Sequence, residues 1–224
     1  MGAEAGDNTI SAALDRAMAA GAEVRGTTSP NPPVGAVIVS AAGEVAGVGA
    51  TQPVGGAHAE VMALRAAGEK ARGGTAVVTL EPCAHTGRTG PCTQALIDAG
   101  VACVYYLHSD PTSQAAGGAR ALAEAGVDVI KLEKPPQVED ALMPWLWAMR
   151  TRRPHITLKF AQSLDGFTAA ADGTSQWITG ESARDWVHAD RARRDAIVVG
   201  TGTALADNPS LTARFRNGSL REHQ

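Results

Sequence analysis

The chain has 224 residues, 44% of them hydrophobic and 19% charged, with a formal net charge of −3. That length is expected to hold one or two domains, and a slightly acidic balance without a basic stripe argues against a nucleic acid as substrate. No apolar run approaches the roughly 18 residues that a membrane span needs, and the start MGAEAG reads as neither signal peptide nor anchor, so a cytoplasmic protein with no membrane contact is expected.

Apolar residues at helical spacing over Ile10–Ala20, ending near Gly21, predict an opening helix. Ser29-Pro30-Asn31-Pro32-Pro33 follows as a stiff loop that traps Asn31 between prolines. Val34–Val39 and Glu44–Ala50, joined by Ala41-Ala42-Gly43, predict a hairpin. Gly55-Gly56 leads into a helix that starts at His58 and carries Glu60 in its first turn. Thr75–Leu80 predicts a strand and Cys92–Ala99 a helix closed by Gly100; Val101–Leu107, Ala119–Ala125 and Val127–Leu132 continue as strand, helix and strand. The order α-β-β-α-β-α-β-α-β is that of a layered α/β domain with its site where strand ends meet helix starts.

Lys134-Pro135-Pro136 breaks this pattern, and Val138–Arg150 predicts a helix bearing Trp145, Trp147 and Met149, whose tryptophans read as a plug between domains rather than a ligand platform. A junction near residue 150 divides the chain into domains 1–150 and 151–224. The second part holds two predicted strands, Ile156–Ala161 and Asp195–Gly200, and one helix, Ser182–Arg194. That is half a nucleotide-binding domain, and the polar end RFRNGSLREHQ reads as a loop interrupted in mid-domain.

The chemistry concentrates in His58-Ala59-Glu60, followed 22 residues later by Pro82-Cys83 and then by Cys92. Imidazole nitrogen and two thiolates are zinc donors, and three protein ligands leave a fourth position for a water whose pKa falls to about 7. Zinc deaminases order these elements in the same way, with a glutamate that does not ligate the metal as proton carrier. One zinc per chain on His58, Cys83 and Cys92, with Glu60 as general acid and base, is therefore expected. A helix start favours thiolate over thiol, and Cys92 is expected to gain most from it. A closed structural zinc site would want a fourth protein ligand, for which His85 and Cys103 are the candidates. Cys103, inside the apolar run Val101–Leu107, reads as inert.

Eight residues separate Cys83 from Cys92, where nucleoside and transfer-RNA deaminases have two. The string LEPCAHTGRTGPC resembles the deaminase domain of the bifunctional riboflavin-biosynthesis deaminase/reductases. PHITLKFAQSLDGFTAA, SQWITG and DNPSLTAR, in that order, resemble the reductase half of the same family. The resemblance implies a cytidine-deaminase-like three-layer α/β/α domain followed by part of a dihydrofolate-reductase-like α/β domain. It implies hydrolytic deamination of 2,5-diamino-6-ribosylamino-4(3H)-pyrimidinone 5′-phosphate, with Asn31 on the pyrimidine edge and His85 and Arg88 on ring or phosphate. For the reductase it implies Ser175, Arg191, Leu211 and Arg214 at the ribose phosphate, and Ala161, Trp177, Thr203 and Asp207 at NADPH. Some relatives carry a histidine seven residues before the metal-ligand His, where this chain has Thr51. The alternatives are a cytidine, guanine or transfer-RNA adenosine deaminase, or a non-catalytic zinc-stabilised module. Homo-oligomerisation is left open.

Overall fold

The computed structural model describes residues 2–85, 90–112, 117–133 and 140–221, residues 2–7 as backbone alone. Runs rich in valine form the sheet. β1 (Gly35–Val39) and β2 (Val45–Ala50) make an antiparallel hairpin, and β1 pairs antiparallel on its other side with β3 (Thr75–Leu80). β3, β4 (Cys103–His108) and β5 (Asp128–Lys131) run parallel, so the sheet order is β2-β1-β3-β4-β5. Parallel neighbours need crossovers, and two helices supply them: α3 (Cys92–Asp98) between β3 and β4, α4 (Gly118–Glu124) between β4 and β5.

Alternation along the strands divides the apolar side chains between two faces. Val37, Val39, Val77 and Leu107 pack with Ala13, Leu14, Ala17 and Met18 of α1 (Gly2–Glu23). Ala36, Ile38, Ala76, Val78, Leu80 and Val104 pack on the other side with Ala59, Ala63 and Ala67 of α2 (Ala59–Ala67), Leu96 of α3 and Leu122 of α4. This is the three-layer α/β/α arrangement of a cytidine-deaminase-like domain. α5 (Met143–Thr151) joins the second face through Leu142, just before its first turn, and Leu146. The carboxylate of Asp140 fixes its approach, accepting the Leu142 N–H at 3.0 Å and meeting His108 Nε2 at 2.5 Å.

Two glycines permit approaches that position the site. A Cβ on Gly49 would lie 2.3 Å from Ala63 N and 2.4 Å from Ala59 O, so α2 lies against the backbone of β2. A Cβ on Gly118 would lie 1.7 Å from Pro82 O, so the start of α4 touches the segment that carries Cys83.

The predicted elements of the first part recur with shifted ends. α1 extends beyond Ile10–Ala20 in both directions. α5 starts at Met143 instead of Val138, with Pro144 in its first turn, where a missing N–H costs nothing; residues 138 and 139 lie outside the described residues.

The chain divides into two units, Met1–His155 and Ile156–Gln224. In the second unit the sequence expectation fails for the strands. Neither 156–161 nor 195–200 joins a β-ladder among the described residues, because an isolated strand has nothing to satisfy its N–H and C=O groups. Their side chains are correspondingly bare: Ile156, Leu158 and Val198 are 83%, 80% and 91% exposed. The predicted helix appears as α6 (Glu181–Arg191), shorter because Arg193 and Arg194 donate three residues back and tighten its end. α7 (Thr201–Asp207) was not anticipated from the sequence. It is closed by Asn208 in the left-handed region, a recognisable end signal.

Candidate active site

His58 is the N-cap of α2, with extended backbone, and Glu60 lies in the first turn. β3 ends at Leu80 and delivers Glu81, Pro82 and Cys83; Cys92 opens α3. These three connections meet at one place. His58 Nδ1 lies 3.2 Å from Cys92 Sγ and 3.6 Å from Cys83 Sγ, and all three donor atoms lie within 4.8 Å of one another. Neighbouring ligand atoms around tetrahedral zinc are expected about 3.4–3.8 Å apart, so the donor set fits that ion in both chemistry and spacing. Neither His85 nor Cys103 joins the cluster, and among the described residues no fourth His, Cys, Asp or Glu closes it.

The backbone N–H of Cys92 donates to Cys83 Sγ at 3.4 Å. The sulfur that gains from the helix start is thus Cys83 and not Cys92, contrary to the sequence expectation, because the first N–H points back at the preceding ligand. The Cys83 thiol is held well below its usual pKa, chiefly by the hydrogen bond from Cys92, with His58 and the Cys92 N–H adding to it. The Cys92 thiol is pushed up, first by sharing its proton with Cys83 and then by burial. A cation between them would displace that proton.

Glu60 is 4% exposed, and burial raises its carboxyl to about 7, where both protonation states are accessible. It lines a cavity of about 400 Å³ together with His58 and Cys83. Asn31 and His85 line the same cavity, as their proposed substrate contacts require, while Arg88 lies outside the described residues. Thr51 also lines it, but its hydroxyl is spent on Val34, accepting that residue's N–H at 3.1 Å and donating to its C=O at 3.4 Å.

Glu81, Asp110, Thr112, Trp145 and Met149 also line the cavity, and the sequence reading assigned none of them there. Glu81 is a buried carboxylate whose oxygens accept the N–H groups of Asp110, Gly117 and Ala119 at 3.3, 3.2 and 3.0 Å. It ties the loop after β4, and the start of α4, to the strand end that carries Cys83. Asp110 turns its own carboxylate onto the N–H and hydroxyl of Thr112, at 2.8 and 2.6 Å. Trp145 corrects the plug reading, since its indole N–H donates to Pro30 O at 3.2 Å on the cavity rim. The Glu81 anchor had a faint signal, an acidic residue between an apolar strand and Pro-Cys; the Trp145 contact spans 115 residues and had none.

In the second unit Ser175 and Trp177 line one depression with Ser163, Asp165 and Phe167. The Arg184 guanidinium lies 4.3 Å over the Trp177 ring. The other residues assigned to the reductase do not share that depression. Arg191 Nη1 donates to Thr212 O at 2.9 Å, and the Arg214 N–H donates to His188 Nδ1 at 3.2 Å. Leu211 has a positive φ of 54°, Ala161 is half-buried, and Thr203 and Asp207 sit exposed on α7.

Residues 7–108 match the family model of the cytidine and deoxycytidylate deaminase zinc-binding region, and residues 154–224 match that of the RibD C-terminal domain. The riboflavin biosynthesis protein RibD of Corynebacterium ammoniagenes is 68% identical over 96% of this chain and 64% of its own length. That of Escherichia coli strain K12 is 51% identical over 90% of this chain and 55% of its own. Among solved structures, the diaminohydroxyphosphoribosylaminopyrimidine deaminase/5-amino-6-(5-phosphoribosylamino)uracil reductase of Thermotoga maritima superposes with a TM-score of 0.86 at 36% identity, covering 95% of this chain and 61% of that one. The chain thus spans less than two thirds of the length of these relatives.

Proposed function

Because the chain belongs to the RibD family of riboflavin-biosynthesis deaminase/reductases, we propose that its first domain, residues 1–150, is a zinc-dependent hydrolytic deaminase of 2,5-diamino-6-ribosylamino-4(3H)-pyrimidinone 5′-phosphate. The observation that carries this reading is the His58, Cys83 and Cys92 donor cluster opening onto the same cavity as the buried Glu60. Zinc held by those three residues would supply the Lewis acidity that makes a water nucleophilic near neutral pH. Glu60 takes one proton from the attacking water and hands it to a ring nitrogen, then takes the second from the new C2 hydroxyl and gives it to the departing amine as the C–N bond breaks. The C2 amino group leaves as ammonia and oxygen takes its place, so the balance is substrate plus water to uracil-type product plus ammonia. Asn31 holds the pyrimidine edge, and His85 and Arg88 meet ring or phosphate.

Residues 151–224 belong to an NADPH-dependent reductase domain that reduces the ribosyl chain to ribityl. Ser175, Arg191, Leu211 and Arg214 serve the substrate phosphate there, and Ala161, Trp177, Thr203 and Asp207 serve the dinucleotide. The enzyme works on a small phosphorylated pyrimidine in the cytoplasm. No helix among the described residues is long and apolar enough to cross a membrane.

Ammonia release from the diaminopyrimidine phosphate by zinc-loaded protein, with the matching mass change in the pyrimidine, tests the reading. Cytidine, guanine and a transfer-RNA anticodon stem-loop serve as competitors. Turnover of one of these, with none of the phosphorylated pyrimidine, overturns it.

A further inference from the structure

The cavity wall contributed by α5 has no part in the chemistry described above. Leu142 and Leu146 are fully buried beneath it, and the Asp140 carboxylate, engaged by His108 and the Leu142 N–H, fixes where the helix begins. Trp145 and Met149, four residues apart, therefore lie on one side of a firmly seated helix and face the cavity. Trp145 packs its ring on the core and aims its N–H at Pro30 O. The loop it reaches is already folded on itself. The Asn31 N–H donates to Thr28 O at 2.8 Å, and the buried Thr28 hydroxyl donates to Asn31 O at 3.0 Å. Those bonds shape the loop internally; the Trp145 bond ties it to the body of the domain, next to the residue that lines the cavity.

We propose that Trp145 is a positioning residue for pyrimidine recognition: its indole N–H holds the Pro30–Pro32 loop so that Asn31 meets the ring edge, and its ring closes that side of the pocket. The proposal rests on the deaminase reading. Trp145 acts on binding, through Asn31, and not on proton transfer, so its removal shows in KM and leaves kcat in place.

Trp145→Phe keeps an aromatic wall and deletes the donor. An ordinary hydrogen bond corresponds to about a fivefold change, so KM for the phosphorylated pyrimidine rises roughly fivefold, with kcat within about twofold and zinc content unchanged. Asn31→Ala also raises KM, and because both act through one contact, the double variant is no worse than Asn31→Ala alone. Additive effects, or a Trp145→Phe enzyme with wild-type KM, overturn the proposal. Hydrogen exchange of the peptide spanning Thr27–Val34 supplies a readout without substrate: exchange speeds up in Trp145→Phe, and unchanged exchange overturns the anchoring. A wild-type protein that releases no ammonia from the pyrimidine removes the deaminase reading itself, an outcome distinct from an active wild type with an indifferent Trp145→Phe.

Discussion

At the scale of single residues, the candidate site separates into atoms that hold a metal and one carboxylate that moves protons. Cys83→Ser removes the sulfur that accepts the Cys92 N–H and stands 3.6 Å from His58 Nδ1, and bound zinc falls from about one equivalent to a small fraction, read by metal analysis after dialysis. A full equivalent in that variant would reassign the ligand. Glu60→Gln keeps the size and burial of the side chain but cannot carry the proton, so zinc is retained while ammonia release drops at least about 100-fold. Retention of a tenth of wild-type turnover would hand the proton to another group. His58, Cys83, Cys92 and Glu60 were legible in the sequence because few residue types can do their chemistry, so the types and their order are informative. Glu81 was legible only faintly, as an acidic residue between an apolar strand and Pro-Cys, because the three backbone N–H groups it accepts lie 29 to 38 residues further on.

At the scale of elements, seating matters more than propensity. Gly49→Ala would place a methyl group 2.3 Å from Ala63 N, so α2 must move off β2. The expected result is a loss of about 1–3 kcal/mol in urea unfolding and a lower zinc content, since the same helix carries His58 at its start. A variant with unchanged midpoint and full zinc would show that the seat yields freely. Glu81→Ala leaves three N–H groups without their acceptor and costs about 1–3 kcal/mol, whereas Glu81→Gln keeps a carbonyl oxygen and costs less. Equal midpoints for the two variants would rule out the anchor. Elements were legible where one sequence run could both form and bury itself, as in β1, β3 and α3. They were misread at 156–161 and 195–200, where strand-like residues find no ladder among the described residues. Strand propensity expresses a fit to a neighbour, and without the neighbour it decides nothing.

At the scale of the whole molecule, the two units should differ in stability. Backbone amides of β1, β3 and β4 lie in a paired sheet with core on both faces and exchange slowly; those of 156–161 and 195–200 exchange fast. Equal protection by mass-detected exchange would contradict this. Of the four residues assigned to NADPH, only Trp177 lines the depression in the second unit, so that depression alone is not expected to support steady, substrate-dependent consumption of NADPH at the nicotinamide band. Such consumption would show a competent dinucleotide site. The candidate site has its own order along the chain. All three metal donors fall between residues 58 and 92, whereas the wall that holds the Asn31 loop comes from Trp145, 53 residues after Cys92. At a synthesis rate of about 5–20 residues per second, that interval is roughly 3–10 s. A nascent chain can therefore capture its ion, and draw folding free energy from it, before the tryptophan that fixes the Asn31 loop has left the ribosome.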